Sequence, residues 1–243
     1  MTSPGILVGV GVGPGDPDHL TLKALRTLQE ADRVFVPETN ARRGVAGRAE
    51  EIVAAHVPAE RLERVRFAMR DDGARARNWN AAGEAIAAVV RAGGTAVFAT
   101  IGDPNLYSTF TYVAQTVRAL VPGVEVRTVP GITAMQDLAA RSGTVLAEGS
   151  EPLTLFPYTA GDGRLRGALD SGDTVVVYKG GRHLPELLDA VRDAGRLDES
   201  VYGEQLGLAG EAIARADERT GSGPYMSTVI VPARRNGHRG EKL

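Results

Sequence analysis

The sequence predicts an α/β protein built as two successive series of strands and helices. Three observations carry that expectation. Short apolar, β-branched runs alternate with longer stretches of helical periodicity, which argues for a mostly parallel sheet. Two glycine-bearing loops, "GVGPGDP" and "TIGDP", each follow such an apolar run directly. A second series begins beyond Gly131, so the boundary is expected near residues 130–135, with units at 1–131 and 132–243.

In order, "GILVGVGVG" (5–13) reads as a buried strand and "LTLKALRTLQEAD" (20–32) as a helix in which Leu22, Leu25 and Leu28 recur every third residue. "RVFVP" (33–37) is a strand stopped by Pro37. Residues 38–50, "ETNARRGVAGRAE", are polar and glycine-bearing, which predicts an exposed loop before "EEIVAAHV". "NAAGEAIAAVVRAGG" (80–94) is a helix closed by Gly93 and Gly94, and "TAVFAT" (95–100) is a strand. The helix "YVAQTVRALV" (112–121) leads to the strand "VEVRTVPG" (124–131). "ITAMQDLAARSG" is a helical connector into the second series. That series comprises the strands "LTLFP" (153–157) and "DTVVVYKGG" (173–181), the helix "HLPELLDAVRDAG" (183–195), and the strands "SVYGEQ" (200–205) and "YMSTVIVPA" (225–233).

Composition narrows the class. Of 243 residues 24% are charged and 43% apolar, with a net charge of -2, which is ordinary for a soluble domain and leaves no nucleic-acid footprint. Zero cysteines exclude disulfides, thiolate metal sites and a cysteine nucleophile. No apolar run reaches the roughly 18 residues of a membrane span. The opening "MTSPGILVGV" lacks the basic start and long apolar stretch of a signal peptide, so a cytoplasmic protein is the expectation. His19, His56, His183 and His238 show no ligand spacing, and no metal is expected.

The bare loops carry the chemistry. A dinucleotide fingerprint fails on spacing, because the sixth position counted from Gly9 is Pro14 and from Gly11 is Asp16. No Gly-Lys-Ser/Thr triplet supports a phosphate loop, and Asp16 would repel a pyrophosphate at a helix N-terminus. In an open α/β sheet ligands bind beyond the carboxyl ends of the strands. Both loops fall at such ends, so they are expected to share one cleft that favours a neutral or cationic ligand.

"VGVGPGDPDHLTLKALRTLQEADRVFVP", "TIGDPNLYSTFTYV" and "VPGITAMQDLAARSGTVLAEG" resemble the successive signatures of the tetrapyrrole (corrin and porphyrin) methyltransferases. "GDPNLYSTF", "LAEG", "VYKGGRHLPELLDAV" and "SVYGEQLGLAGEAI" are most similar to the branch that methylates C20 of precorrin-2 in cobalamin biosynthesis. The likeness spans about residues 5–233. It implies two α/β domains of the tetrapyrrole methylase type with the active-site cleft between them, S-adenosylmethionine as cofactor and a homodimer.

By position, the resemblance assigns to the cofactor Pro14 in the first loop, then Ile101, Gly102, Asp103, Leu106 and Tyr107 in the second. Thr133 and Ala134 follow in the "PGITA" turn, with Lys179, Leu208 and Thr228 from the second series. An ammonium and a sulfonium on the cofactor would be attracted by Asp103. The implied substrate is a tetrapyrrole with eight carboxylate arms, for which Arg42, Arg43, Arg48, Lys179, Arg182 and His183 are the candidate anchors. Asp16, Asp103, Tyr107 and Glu204 are the candidates for handling the proton that leaves the methylated carbon. Trp79 is either a core anchor or a platform for the macrocycle.

The stretch 38–50 departs from the branch's usual form, and "TIGDP" lacks the doubled glycine of uroporphyrinogen-III methylases. Other readings are a cobalt-loaded substrate, another ring-carbon methylase, a diphthine synthase-like or ribosomal RNA methylase, and a binding module that keeps the scaffold without catalysis.

Overall fold

The first sheet grows outward from a strand that has no polar side chain. β1 (Ile6–Gly11) pairs in parallel with β4 (Thr95–Thr100) on one side and β5 (Glu125–Val129) on the other. β2 (Arg33–Glu38) and β3 (Leu62–Arg66) extend the sheet beyond β4, giving the order β3-β2-β4-β1-β5 with every pair parallel. The computed structural model describes residues 4–38, 46–66, 75–159 and 163–235, and the chain divides into two units at Thr133/Ala134.

Alternation along these strands loads both faces of the sheet. Leu7, Phe35 and Phe98 point to one side, beneath α3 (Arg75–Arg91) and α4 (Phe110–Leu120). Val8, Val10, Val34 and Val97 point to the other, beneath α1 (Leu22–Glu30) and α2 (Arg48–Ala54). Gly9 lets α4 come close, since a Cβ there would lie 2.5 Å from the ring of Phe110. Trp79 packs on the α3–α4 side, edge-on to Tyr112 at 5.7 Å between centroids.

Two expectations change here. Leu22 is 70% exposed, and the face of α1 that meets the core is formed by Ala24 and Leu28. A strict three-residue spacing drifts around a helix of 3.6 residues per turn, so Leu22 and Leu28 cannot share a buried stripe's centre. α1 also starts later than the apolar pattern, at the Thr21 cap, whose hydroxyl accepts from the Ala24 amide at 3.1 Å. β3 was not expected, because "LERVR" buries only Val65 and carries three charges at the sheet edge.

The second unit has a mixed sheet. β6 (Leu153–Pro157) and β7 (Thr174–Tyr178) are parallel. β10 (Ser227–Val231) then runs antiparallel to β7 and to β8 (Val201–Glu204), which in turn pairs antiparallel with β9 (Ala212–Arg215). Val175, Val177, Val229 and Val231 face α6 (Gly163–Asp170) and α7 (Leu184–Asp193). Val176 and Ile230 face α5 (Ala134–Ser142) with Leu138. The geometry puts the ends of β7 and β8 and the starts of β9 and β10 along one edge.

At the opposite edge Arg196 is 3% exposed, and its guanidinium donates to main-chain carbonyls of Leu169 (2.9 Å), Asp173 (2.6 Å) and Pro232 (2.7 Å). Burial lowers its proton affinity, but a guanidinium stays charged, and the three carbonyls take the place of water. Arg196 thereby ties the end of α6, the entry to β7 and the exit of β10.

Two stability outcomes follow. Gly11→Ala places a methyl 2.4 Å from the Gly102 carbonyl oxygen and 2.6 Å from the Gly131 nitrogen, so main chain must move. A loss of about 1–3 kcal/mol or more is expected in urea unfolding. Gly167→Ala, in the exposed interior of α6 with nothing within 4 Å, is expected to gain about 0.5–1 kcal/mol in the same assay.

Candidate functional site

Three glycines bring the ends of β1, β4 and β5 into backbone contact. A Cβ on Gly131 would stand 2.2 Å from the Gly102 oxygen and 2.7 Å from Gly11. No side chain fits among them. Gly102 then donates its N–H to the Gly13 carbonyl at 2.9 Å, forming an isolated antiparallel bridge between the two bare loops. Gly13 and Gly102 both take positive φ, at 82° and 67°, which a residue with a Cβ rarely adopts.

Asp103 locks this junction. Its Oδ1 accepts from the Asn105 amide at 2.8 Å and its Oδ2 from the Gly131 amide at 3.1 Å. One carboxylate thus closes its own turn and holds the turn after β5, so the attraction expected of it acts from a side chain already bonded through both oxygens. Thr100 Oγ1 and Ser108 Oγ, 3.0 Å apart, and the Phe110 amide donating to Ser108 Oγ at 3.1 Å, fasten the loop's far end to α4.

Other first-unit candidates are arranged around the junction. Pro14 is buried and Ile101 half-buried, with Leu106 also half-buried and its amide donating to the Asp103 carbonyl at 3.3 Å. Tyr107 is 42% exposed and has φ 52°; partial burial pushes its hydroxyl above the usual tyrosine range, so it keeps its proton. Asp16 caps the short turn Pro17–His19, accepting from the Asp18 amide at 2.9 Å through one carboxylate oxygen. Thr133 is buried as the last residue of the first unit, and Ala134 opens α5 in the second.

In the second unit the strand-end edge gathers several candidates. Lys179 follows β7 with φ 64°, its ammonium 6.0 Å from the centre of the Tyr225 ring. Arg182 and His183 are exposed on the next turn, Gly181–His183, which is packed so closely on Pro224 that a Cβ on Gly181 would lie 1.9 Å from the Pro224 oxygen. Thr228 is 3% exposed and lies inside the sheet, opposite Tyr178 and Gly203. Leu208 is half-buried in the β8–β9 loop. Glu204 accepts from the Tyr202 hydroxyl and lies 3.4 Å from the Arg219 guanidinium, which covers the Tyr202 ring at 4.7 Å. Burial, then the bond to Glu204, hold the Tyr202 hydroxyl well above its ordinary range, so it stays a donor.

Among the described residues the non-glycine positions with left-handed backbone are Tyr107, Lys179 and Gln205. Each lies in the segment beyond a strand's carboxyl end, and such strain persists only where the surrounding structure over-determines it. Tyr107 and Lys179 were candidates on sequence grounds; Gln205 was passed over. Its only sequence signal is the neighbouring Glu204 at a strand end. Arg48 sits in the first turn of α2, away from these loops in sequence, with burial lowering its proton affinity. Arg42, Arg43 and His238 lie outside the described residues. Among the described residues no His/Asp/Glu cluster has the makings of a metal site, and no helix is long and apolar enough to cross a membrane.

Known proteins resemble this chain in sequence and fold. A Sinorhizobium protein named precorrin-2 C(20)-methyltransferase is 33% identical over 239 residues, covering 94% of this chain and 95% of its own. A Methanocaldococcus jannaschii protein named probable cobalt-precorrin-2 C(20)-methyltransferase is 36% identical over 186 residues, 76% of each chain. The structure of uroporphyrin-III C-methyl transferase from Thermus thermophilus, complexed with S-adenosyl homocysteine, superposes with a TM-score of 0.65 at 25% identity, covering 93% of this chain and 97% of that one. The family described as tetrapyrrole (corrin/porphyrin) methylases matches residues 6–220, a span that takes in both glycine-rich loops and the ends of β7 and β8, and the chain belongs to it.

Proposed function

We propose that the protein transfers a methyl group from S-adenosylmethionine to C20 of precorrin-2, giving precorrin-3A in cobalamin biosynthesis. The observation that carries the reading is the side-chain-free junction of Gly11, Gly102 and Gly131, held by the Asp103 carboxylate at adjoining strand ends. The names of the relatives, two of them C20 methylases of precorrin-2 or its cobalt form, supply the substrate class.

The residues fit the cofactor. In the first unit, Pro14 stands on the first glycine-bearing loop and Ile101, Gly102, Asp103, Leu106 and Tyr107 on the second, and the carboxylate contributes negative charge suited to an ammonium or sulfonium. Thr133 ends that unit; Ala134, Lys179, Leu208 and Thr228 are the second unit's contributors. When bound, S-adenosylmethionine supplies a methyl group already activated by the positive sulfur. The protein's work is then placement, and holding two reactants in attack geometry is worth roughly 7–11 kcal/mol.

Lys179, Arg182 and His183 follow the end of β7 closely, the last two on the turn Gly181–His183, and suit the carboxylate arms of the macrocycle, as do Arg42, Arg43 and Arg48 on charge. The proton-handling group is drawn from Asp16, Asp103, Tyr107 and Glu204. Their surroundings divide their roles: Asp103 positions main chain through both oxygens, and Tyr107, its hydroxyl pushed up by partial burial, keeps its proton. Asp16 and Glu204 are the carboxylates left to accept a proton directly or through one water. A cytoplasmic homodimer completes the proposal.

Two measurements test it. Purified protein given labelled S-adenosylmethionine with precorrin-2, and separately with cobalt-precorrin-2, is expected to place one methyl on C20 of at least the metal-free form. Transfer to neither would overturn the substrate. Asp103→Ala frees the Gly131 and Asn105 amides, and a loss of about 1.5–3 kcal/mol, a ten- to hundredfold weaker calorimetric Kd for S-adenosylhomocysteine, is expected. An unchanged constant would remove Asp103 from the cofactor site.

A further inference from the structure

Glu211 is bound from two sides. Its Oε2 accepts from the Gly207 amide at 2.6 Å, and its two oxygens receive a fork from Arg141, at 2.5 Å each. Arg141 belongs to α5, seventy positions earlier in the chain. Its Nη1 is also 3.8 Å from Oδ2 of Asp137, whose side chain is 2% exposed. A guanidinium between two carboxylates thus joins α5 to the loop between β8 and β9.

What that loop carries makes the join matter. Leu208 donates its amide to the Gln205 carbonyl at 2.9 Å, and its own carbonyl accepts from the Glu211 amide at 3.1 Å. Gln205 itself has the strained φ of 50° and places its side-chain amide on Gly210, where a Cβ would be 2.9 Å away. α5 lies hard on β8, for a Cβ on Gly203 would be 2.7 Å from Leu138, and Leu206 is buried in the same cluster. Apolar packing therefore holds the loop down, but it is non-directional. A bidentate ion pair fixes orientation as well as distance.

We propose that Arg141, gripping Glu211 and flanked by Asp137, is a positioning residue for the cofactor: it sets the 205–211 loop in register with the start of α5, so that Leu208 and Ala134 hold a fixed relation. This rests on the cofactor reading above. Neither Arg141 nor Glu211 touches the reacting atoms in it, so the expected signature is in binding, with the chemical step left alone.

The test uses the full chain. Calorimetry with S-adenosylhomocysteine and steady-state kinetics with S-adenosylmethionine are run on wild type, Arg141→Met and Arg141→Lys. Arg215→Met, which breaks the exposed Arg215–Asp217 pair of the same unit, is the control. Arg141→Met is expected to raise Kd and KM for the cofactor together by about tenfold, with kcat within about twofold. Arg141→Lys, which keeps charge but loses the fork, should raise them about threefold, and Arg215→Met should leave them unchanged. A purely structural role lowers apparent kcat with the folded fraction and leaves KM in place, so that pattern overturns the proposal. So does a folded Arg141→Met with wild-type Kd. Should Arg141→Met fail to fold, a wild-type Kd in Arg141→Lys overturns it equally. A wild-type protein that binds no S-adenosylhomocysteine sinks the cofactor reading and this one with it, whereas wild-type binding with unaltered variants sinks this one alone.

Discussion

Backbone-to-backbone contact among Gly11, Gly102 and Gly131 is the constraint on which the first unit's candidate site depends. These residues end or follow three neighbouring parallel strands, and each lacks the one atom that would hold the others apart. Their approach would be loose without a polar latch, since three main chains meeting at a sheet's end leave amides beyond the ladder. The Asp103 carboxylate takes the Gly131 amide, and the Gly13 carbonyl takes that of Gly102. Buried main-chain donors must be satisfied, so the latch and the close approach require each other.

The second unit reaches a similar end by different means. Its sheet is mixed, and its carboxyl-end edge is shaped by left-handed residues that are not glycine, Lys179 and Gln205. Each such residue costs of order 1–3 kcal/mol, so the surrounding bonds have to hold it. Around Gln205 those bonds are visible: the Met226 carbonyl accepts its amide at 3.3 Å, and the chain beyond is tied through Glu211 to Arg141. At the far edge Arg196 performs a purely structural task with the same guanidinium chemistry, binding neutral carbonyls where Arg141 binds a carboxylate.

Much of this was legible in the sequence, for reasons that differ by element. The strands β1, β4 and β7 announce themselves because strands buried on both faces need unbroken apolar, β-branched runs. The two Gly-Asp-Pro loops were legible because close approach and positive φ admit almost no residue but glycine. β3 and β9 lie at sheet edges: in β3 the alternation dissolves into charges, and β9, Ala-Ile-Ala-Arg, is too short to show one. α6, with a glycine at its centre, had weak helical character of its own and is held by Leu165 and Leu169 against the sheet. Arg196 and the Arg141–Glu211 pair were invisible for a deeper reason: their partners are distant in sequence, and nothing local marks an arginine as one that will be buried.

Asp103 is selected by sequence for one reason and held in the structure by another. Sequence logic selects it as a carboxylate in a loop too bare for phosphate, hence an attractor of positive charge. The structure adds that both its oxygens already hold main-chain amides, which disperse its charge and fix its position. A carboxylate so bonded attracts a cation less strongly than a free one, but it does so from a place that does not move. Preorganisation of that kind spares the cost of ordering a loop when the ligand arrives. The same logic extends to Tyr107, three residues beyond the Asp103 turn's proline, whose left-handed backbone is fixed by that turn on one side and by the Ser108 bond to α4 on the other. In the proposed reading, charge selects the ligand's class and the latch fixes the carboxylate that meets it.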